Sequence, residues 1–410
     1  MSDKLPFKRA LAAIGGSAGL ALTSLVMALC LIQKGSVEEY GLFAFLLVTQ
    51  ALANGISNAI LGSPSLIALS ENTPQAAQKV RSFMLVNLFL SCIFAALQAA
   101  IVLSFVDSIG IALVYAASAF ITTLRWFGRA YCNNSHQHSK VVKSDALYSL
   151  VSLTAAVTIF FAGNVSLFSF GLVTAAAAVL ALPALGFDYL KLQFVSAFNA
   201  GLYGFVQGFQ QQGKHALLGV LTTEGTLNSH SYLVTLLLGP AAFAPIAAAA
   251  LLFRPVIVVL NSLTQIERPR LRSMLAVHRF EDAKKSLSRF RLINIAFWLL
   301  NCIVALVVLL FFINIYWKDA LSQPALIWAA IFISLIRLSR SVSSPFNVFL
   351  QAADKFKDLS LVSVKSSLLA VPLVYVSLLV FTPSFSLLGI LLGELFALCL
   401  LLRLYRRVKL

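Results

Sequence analysis

The fold is decided by one stretch of the chain, residues 34–69, which reads KGSVEEYGLFAFLLVTQALANGISNAILGSPSLIAL. It opens with a short polar segment, continues through an apolar run long enough to cross a bilayer, and carries a proline near its far end. The same plan returns at residues 237–271, LLGPAAFAPIAAAALLFRPVIVVLNSLTQIERPRL, when Tyr40 is aligned with Phe243. The separation between these two aligned residues is close to half of the 410-residue chain. The echo predicts two parallel halves.

Apolar runs of this length recur along the whole chain. Only 11% of the residues are charged and 60% are hydrophobic, with a mean hydropathy of +0.90. This composition excludes a soluble globular protein and indicates a polytopic membrane protein. We predict twelve spans of about 20 residues each, at residues 11–33, 40–69, 82–106, 109–127, 146–163, 166–186, 215–237, 240–264, 291–313, 322–340, 358–381 and 384–402.

The spans and the echo together predict an all-α membrane protein with about twelve transmembrane helices, arranged as two parallel six-helix halves around a central cavity. Internal duplication of this kind is frequent among secondary transporters, in which the substrate binds between the repeats. The predicted parts are an N-terminal six-helix lobe at 1–186, a cytoplasmic linker at 187–214, a C-terminal six-helix lobe at 215–402 and a basic cytoplasmic tail at 403–410.

The distribution of Lys and Arg predicts the orientation. With the N-terminus inside, only Lys34 and Lys318 fall on the outer side, and almost all other basic residues fall in inner loops, tails or adjoining helix turns. Both termini are therefore expected in the cytoplasm. The net charge of +16 is spread over every second loop and is densest at residues 268–291. Anionic lipid head groups explain this pattern better than a nucleic-acid partner.

Three stretches of the chain resemble a signal peptide, a phosphate-binding loop and a metal site, but another interpretation is favoured for each. The N-terminal apolar run is too long for a cleaved signal peptide and lacks a small-x-small site, so we predict an uncleaved first span. GFQQQGKH, residues 208–215, matches part of a phosphate-binding loop but has His215 in place of the Ser or Thr, and a flexible linker is favoured. CNNSHQH, residues 132–138, offers possible metal ligands at irregular spacing, and a solvated loop is favoured. We predict neither a metal nor a cofactor.

Two stretches carry a family resemblance. EEYGLFAFLLVTQALANGISNAILG resembles the second helix of polysaccharide and O-antigen flippases, and HSYLVTLLLGPAAFAPIAAAALLFRP resembles their seventh-to-eighth helix junction. These flippases belong to the multidrug/oligosaccharidyl-lipid/polysaccharide (MOP) exporter superfamily. That junction often carries Asp where this chain has His230.

The resemblance implies a transporter rather than an enzyme, located in the bacterial inner membrane. Its implied substrate is a lipid-linked oligosaccharide on a polyprenyl diphosphate, moved from the cytoplasmic to the outer leaflet by alternating access. The product would serve surface polysaccharide synthesis, such as the O-antigen of lipopolysaccharide. Implied partners are membrane lipids and, beside the substrate, polysaccharide polymerase and chain-length proteins.

A diphosphate that crosses the membrane requires cationic partners, because an unpaired anion in hydrocarbon is costly. Arg254, next to the helix-kinking Pro255, and Lys365 lie within predicted spans and are candidate substrate-binding residues. For Arg254 the alternatives are structural pairing with Glu224 or Glu394, or snorkelling toward the inner surface. For Lys365 the alternative is ordinary positive-inside flanking. Further candidates lie at inner helix ends, where ordinary positive-inside flanking is the alternative; they are Arg125, Arg129, Arg337 and Arg340.

Amide side chains are candidates for binding sugar hydroxyls. Gln50, Asn54 and Asn58 recur at helical spacing and predict one polar stripe on the second span. Similar polar positions occur on the third and ninth spans, at Asn87, Ser91, Asn294 and Asn301. Such side chains either line a cavity or join helices by hydrogen bonds.

TTEGTLNSHS, residues 222–231, places ionisable groups inside the seventh span. Glu224 is the candidate residue for ion or proton coupling, because desolvation favours its neutral form and a nearby cation its charged form. His230 is a second candidate, nearer the outer side. The alternatives are a static pair between Glu224 and Arg254, or local unwinding of the helix. Glu394 on the twelfth span is expected to pair structurally.

Two other functions compete with the flippase. A drug or cation antiporter of the same superfamily would favour acidic over basic cavity residues, and Arg254 and Lys365 argue against it. An outer-face polysaccharide polymerase or ligase would need a sizeable outer loop with catalytic groups, whereas the predicted outer loops are a few residues long. No catalytic residue is predicted.

Overall fold

The computed structural model describes residues 4–71, 74–311 and 323–407, and within these ranges every regular element is a helix. The predicted outer Lys318 and the end of the basic tail lie outside the described residues. The chain divides into two compact units, Met1–Val220 and Leu221–Leu410. The division falls inside a helix, and residues 187–214 belong to the first unit. The predicted lobe and linker boundaries stay a prediction.

The first unit is built from helices in chain order. They are α1 (Lys4–Lys34), α2 (Val37–Ser57), α3 (Ser63–Glu71), α4 (Pro74–Phe105), α5 (Ile109–Asn134), α6 (His138–Ala162), α7 (Leu167–Ala181), α8 (Phe187–Phe194) and α9 (Tyr203–Gly208). A π-helix, Asn58–Gly62, joins α2 to α3 in one long span, and a second π-helix, Phe209–Gly213, leads into α10 (Lys214–Leu227), which ends in the second unit.

The second unit continues with seven further helices among its described residues. They are α11 (Ser229–Leu238), α12 (Pro240–Leu252), α13 (Arg254–Ala276), α14 (Phe280–Phe311), α15 (Gln323–Ala352), α16 (Phe356–Val380) and α17 (Ser386–Arg407). α16 packs against α17, and α15 packs against α12, α13, α14 and α17.

Local chemistry sets where α2 begins. Ser36 caps the helix: its hydroxyl accepts from the Glu39 backbone N–H at 3.1 Å, and the Glu39 carboxylate accepts from the Ser36 N–H at 3.1 Å. The same carboxylate accepts from the Leu167 N–H at 2.9 Å, which ties the start of α2 to the start of α7. In the second unit α12 begins after Gly239, whose φ of 88° favours glycine. Ser36 and Gly239 are separated by the same offset as Tyr40 and Phe243, so the echoing helices begin at aligned positions.

In its described residues, each of the twelve predicted spans lies on one helix or on successive helices. Among the described residues, nine helices are long and apolar enough to cross a membrane, or ten if α12 and α13 form one span bent by 53°. This bend confirms the kink predicted at Pro255, which has no backbone N–H to donate to the preceding turn and so cannot continue α12 into α13 without a bend. Ala18–Lys34 and α11 are shorter apolar helices.

Three local predictions were wrong. The seventh span, predicted as one helix over 215–237, is interrupted at Asn228. The basic segment 268–291 was predicted to be a loop, yet α13 continues to Ala276 and α14 begins at Phe280, because charged residues are good helix formers outside the bilayer. Residues 208–215 form helix rather than a flexible linker.

Candidate functional site

A small cavity lies inside the first unit. It has a volume of about 70 Å³ and is lined by residues from α2, α4, α5, α6 and α7. Its lining combines apolar residues with uncharged polar ones; the polar ones are Gln50, Gln98, Tyr115, Ser118, Thr122, Tyr148 and Thr174. This volume is far below the roughly 300–1,000 Å³ of ligand pockets and is enough for a few water molecules.

The predicted amide stripe on α2 reaches this cavity at one end. The Gln50 side-chain N–H₂ donates to the Asn54 side-chain oxygen at 3.1 Å and lies 3.4 Å from the Thr123 hydroxyl. Asn58 is exposed and begins the π-helix. The structure thus joins Gln50 to Asn54 and leaves Asn58 outside their contact. Sugar binding by this stripe stays a prediction.

Gln98 on α4 was not predicted, although it lines the same cavity. Its Nε2 donates to the Thr49 hydroxyl at 2.8 Å and to the Leu46 carbonyl at 3.2 Å. Its Oε1 is buried and has no hydrogen-bond partner in the described part of the chain. A buried acceptor of this kind is costly unless a donor reaches it.

Arg125 and Arg129 on α5 share one carboxylate. An Arg125 guanidinium nitrogen lies 2.5 Å from one Asp145 oxygen, and an Arg129 nitrogen lies 2.7 Å from the other. The Arg125 Nε also donates to the Ser144 hydroxyl at 2.9 Å. Arg125 and Asp145 are each only 3% exposed. The bonds to both oxygens compensate for the loss of water around Asp145.

Aromatic rings complete this cluster. The Arg125 guanidinium lies 4.7 Å from the Tyr148 ring centroid, and that of Arg129 lies 4.6 Å from the Trp126 centroid. Both distances fall within the range of cation–π attraction. Tyr148 also lines the cavity, so it connects the polar cavity to the arginine pair. With two guanidinium groups and one carboxylate, the cluster keeps one excess positive charge.

The second unit contains a similar cluster on α15 and α17. The Arg340 Nε lies 3.7 Å from a Glu394 oxygen, and Glu394 is 7% exposed. Arg337 interacts electrostatically with both Arg340 and Glu394. Its Nε is buried with no hydrogen-bond partner among the described residues. The pairing expected for Glu394 is thus observed, with Arg340 as its partner, and Arg337 acts on this pair only through its charge.

His230 and Glu224 lie on either side of the helix break. His230 interacts electrostatically with Arg337, and its Nε2 lies 3.2 Å from the Ser231 hydroxyl. The half-buried Glu224 accepts from the Asn228 amide at 2.7 Å and from the Tyr232 hydroxyl at 3.3 Å. These bonds cross the interruption at Asn228, so the local unwinding considered from the sequence is observed. A coupling role for either residue stays a prediction.

Arg254 and Lys365 occupy different surroundings. Arg254 is the first residue of α13, immediately after the bend, and is half-buried. Lys365 on α16 is exposed, while its neighbour Ser366 is buried and donates to the Gly393 carbonyl at 2.8 Å. Substrate binding by Arg254 and Lys365 stays a prediction.

The other predicted polar positions mainly join helices. Asn87 donates to the Gln193 side-chain oxygen at 3.0 Å, which ties α4 to α8, and Ser91 donates to the Asn87 carbonyl at 2.8 Å. Asn301 on α14 donates at 3.0 Å to the Leu252 carbonyl, beside the α12–α13 bend. Asn294 is buried, and both of its side-chain polar atoms lack a hydrogen-bond partner among the described residues.

The two motif-like stretches do not form sites of the suggested kinds. Residues 208–215 lack the strand-to-loop geometry of a phosphate-binding loop, because Tyr203–Gly208, Phe209–Gly213 and α10 are consecutive helices. Cys132 is buried with its Sγ 3.7 Å from the Leu185 carbonyl oxygen. In the described ranges, no group of three or more His, Cys, Asp or Glu side chains is arranged to hold a metal ion.

Comparison with known proteins gives a match in structure but not in sequence. No protein-family model and no curated protein matches the chain. It is similar to an inward-facing multidrug resistance MATE family transporter of the MOP superfamily, with a TM-score of 0.70 and 13% identity over 94% of this chain and 93% of that one. A eukaryotic MATE transporter gives a TM-score of 0.67 and 13% identity over 98% and 96%.

A MOP superfamily transporter from Pyrococcus furiosus gives a TM-score of 0.60 and 14% identity, covering 97% of this chain and 93% of that one. Its binding pocket is described as having reverse polarity, which suggests a different function for that protein. At such identities the likeness concerns the fold. The predicted class, an all-α multi-pass membrane protein, is confirmed, and the chain has the fold of the MATE transporters of the MOP superfamily.

Proposed function

We propose that the protein is an alternating-access transporter for an anionic, lipid-linked oligosaccharide carried on a polyprenyl diphosphate. Transport is supported by the fold, which is shared with MATE transporters captured in inward-facing and outward-facing conformations. Movement would run from the cytoplasmic to the outer leaflet of a bacterial inner membrane. Polysaccharide polymerase and chain-length proteins would then act on the product.

The proposal of an anionic substrate rests on the positive charge of the two arginine clusters. In the first unit Asp145 is shared by Arg125 and Arg129. In the second, Glu394 lies near Arg340 and Arg337. The arginines of each cluster lie on the helix that contains the fourth predicted span of their half, α5 and α15, and each cluster keeps an excess positive charge. Such sites attract phosphate oxygens, and guanidinium groups bind them through paired hydrogen bonds.

A drug or cation antiporter is the second candidate. The similarity to MATE transporters favours it, since one of them is a multidrug resistance transporter. Glu224 also offers a half-buried carboxylate that could hold a cation or a proton. Against it, Asp145 is already bonded to two arginines, so that carboxylate is not available to a cationic drug.

An outer-face polymerase or ligase is less well supported. Several described connections on the predicted outer side run for only a few residues, at 35–36, 106–108 and 163–166. Such short turns offer little backbone on which to place catalytic groups. The fold shared with transporters also argues for transport rather than catalysis.

The test measures polyprenyl-linked oligosaccharide on the cytoplasmic leaflet of cells that lack the protein. Cells are complemented with wild type, Arg254→Ala, Glu224→Gln or Arg337→Gln. We expect accumulation that wild type relieves, with Arg337→Gln reducing transport roughly tenfold because a charge-assisted hydrogen bond contributes about 1.5–3 kcal/mol. Arg279→Gln is the matched control, because Arg279 is exposed and bonds only within its own turn to Asp282 at 2.8 Å.

Efflux of a cationic dye is measured in the same cells. No accumulation in the deletion strain, together with dye efflux that depends on the protein, would favour the antiporter. Accumulation relieved equally well by all variants would keep the flippase and remove Arg254, Glu224 and Arg337 from its site.

A further inference from the structure

Residues 187–203, which we call the linker segment, have two different sides. One side contains Tyr189, Gln193, Ala197 and Ala200, all buried in the first unit. The other side exposes large apolar side chains; they are Phe187, Phe194, Val195, Phe198, Leu202 and Tyr203. Phe187 is 83% exposed, Phe198 62% and Tyr203 81%. Exposed aromatic groups at this density on one segment indicate a surface that something covers.

The buried side is fixed by specific hydrogen bonds. The Tyr189 hydroxyl donates to the Leu124 carbonyl at 2.8 Å, and the Gln193 amide donates to the Met84 carbonyl at 2.9 Å. The Ser82 hydroxyl donates to the Gly201 carbonyl at 2.6 Å. The segment therefore lies in a defined place along α4 and α5, and its apolar side is held outward.

Close packing supports the same placement. A Cβ on Gly128 of α5 would lie 2.6 Å from the Tyr189 ring, and a Cβ on Gly204 would lie 2.7 Å from the Lys79 Cα. Neither position has room for a side chain, so the Tyr189 ring packs directly on the backbone of α5, and the backbone just after the linker segment packs directly on α4. The exposed aromatic groups cannot turn inward without breaking these contacts.

The position of the segment identifies what covers it. The chain leaves the apolar helix Leu167–Leu185, which is long enough to span a membrane, and reaches Phe187 two residues later. The segment must therefore start at the membrane surface. Tyr favours this interface, because its ring contacts acyl chains while its hydroxyl contacts water, and Phe supplies the apolar side of an interfacial segment. Cationic Lys191 is exposed within the segment and Arg81 is exposed beside Ser82, as suits anionic head groups.

We propose that the linker segment is an interfacial anchor, whose outward side chains insert among the lipid head groups of the leaflet at the end of α7. Its partner is the bilayer itself. The anchor holds the first unit at a fixed depth, because the segment is bonded to α4 and α5 on its opposite side. This role does not depend on which substrate the transporter carries.

The experiment uses the full-length protein in nanodiscs of phosphatidylethanolamine and phosphatidylglycerol, in which water reaches both faces. Phe198→Cys is compared with Asp188→Cys in a background where the exposed Cys92 and Cys399 are changed to Ser. Asp188 is the matched control, because it lies in the same segment and its side chain is fully exposed. The measurements are the rate of reaction with a charged maleimide, and the quenching of attached bimane by lipids that carry a nitroxide near the head group.

We expect the thiol of the Phe198→Cys variant to react about tenfold more slowly than that of Asp188→Cys, and its bimane to be quenched more strongly, since a residue at the acyl boundary meets lipid before water. Equal rates for the two variants would overturn the proposal. Slow reaction of Phe198→Cys without quenching would also overturn it, because the surface would then be covered by protein, such as a second copy of the chain.

Discussion

At the scale of single residues, Asp145 determines the stability of the first unit. Its two oxygens lie 2.5 Å and 2.7 Å from nitrogens of Arg125 and Arg129, and it is only 3% exposed. Asp145→Asn would leave two guanidinium groups in a buried site without an anion. We expect the free energy of unfolding to fall by about 3–5 kcal/mol, the usual loss when one partner of a buried ion pair is removed.

Thermal or denaturant unfolding of the purified protein in detergent measures this loss. Asp188→Asn is the control, because the Asp188 side chain is fully exposed and lies 3.9 Å from Lys140. It should leave the unfolding midpoint unchanged. Equal midpoints for Asp145→Asn and wild type would show that the buried pair contributes no net stability.

The same cluster shows what one sequence can and cannot reveal at this scale. Arg125 and Arg129 were predicted as cationic candidates from their place at an inner helix end. Their partner Asp145 was not singled out, because it lies at the edge of a predicted span, where an acid is ordinary. Gln98 was missed for another reason. The contact between its amide and Thr49 depends on tertiary packing between α4 and α2, which the sequence does not show.

At the scale of elements, the contact between α16 and α17 depends on Gly389. A Cβ at this position would lie 2.8 Å from the Leu373 carbonyl carbon and closer still to the Val374 nitrogen. Both are backbone atoms that cannot move aside as a flexible side chain can. We expect Gly389→Ala to destabilise the second unit by about 1–3 kcal/mol, as overpacking usually does.

Gly219→Ala is the matched control for this helix contact. Nothing lies within 4 Å of a Cβ built at Gly219, so alanine should be neutral there or slightly stabilising through its better helix propensity. Unfolding midpoints of the two variants in one detergent give the comparison. A Gly389→Ala midpoint equal to that of Gly219→Ala would mean that α16 and α17 can separate at no cost.

Helix periodicity predicts where spans lie, but it does not predict where they break or how far they extend. The bend after α12 was foreseen because Pro255 leaves a chemical signature. The interruption at Asn228 has no proline, and its local contacts, in which Glu224 accepts from both Asn228 and Tyr232, leave no comparable pattern in the sequence. The helical extensions at Ala276 and Phe280 lie in charged sequence, where a search for apolar runs stops.

At the scale of the whole molecule, the similarity between residues 34–69 and 237–271 predicts two parallel halves. Two copies of a duplicated span begin their helices at equivalent residues. The cavity lining and the buried arginine clusters could not be predicted in the same way. They combine side chains from different helices, and the pattern of one helix does not show which side chains of another it will meet. Apolar composition sets the number of spans, whereas polar contacts between helices decide which side chains meet.

The number of spans determines on which side of the membrane each loop lies. That number depends on whether residues 214–238 cross the membrane. α11 alone has ten residues and is about 15 Å long, half of the roughly 30 Å hydrocarbon core. Residues 214–238, comprising α10, Asn228 and α11, are about 37 Å long at the same rise per residue, which is enough to cross. The segment carries Glu224 and several hydroxyls, so its polarity alone would argue against a span.

We expect this segment to cross the membrane, because bonds from Asn228 and Tyr232 satisfy Glu224 internally. Alkaline phosphatase, which is active only outside the cytoplasm, should then be active when fused after Gly239 and inactive when fused after His278. In the first unit, a fusion after Lys34 should likewise be active and a fusion after His136 inactive. Activity after His278 but not after Gly239 would mean that α10 and α11 do not span, and the predicted orientation of every following helix would be reversed.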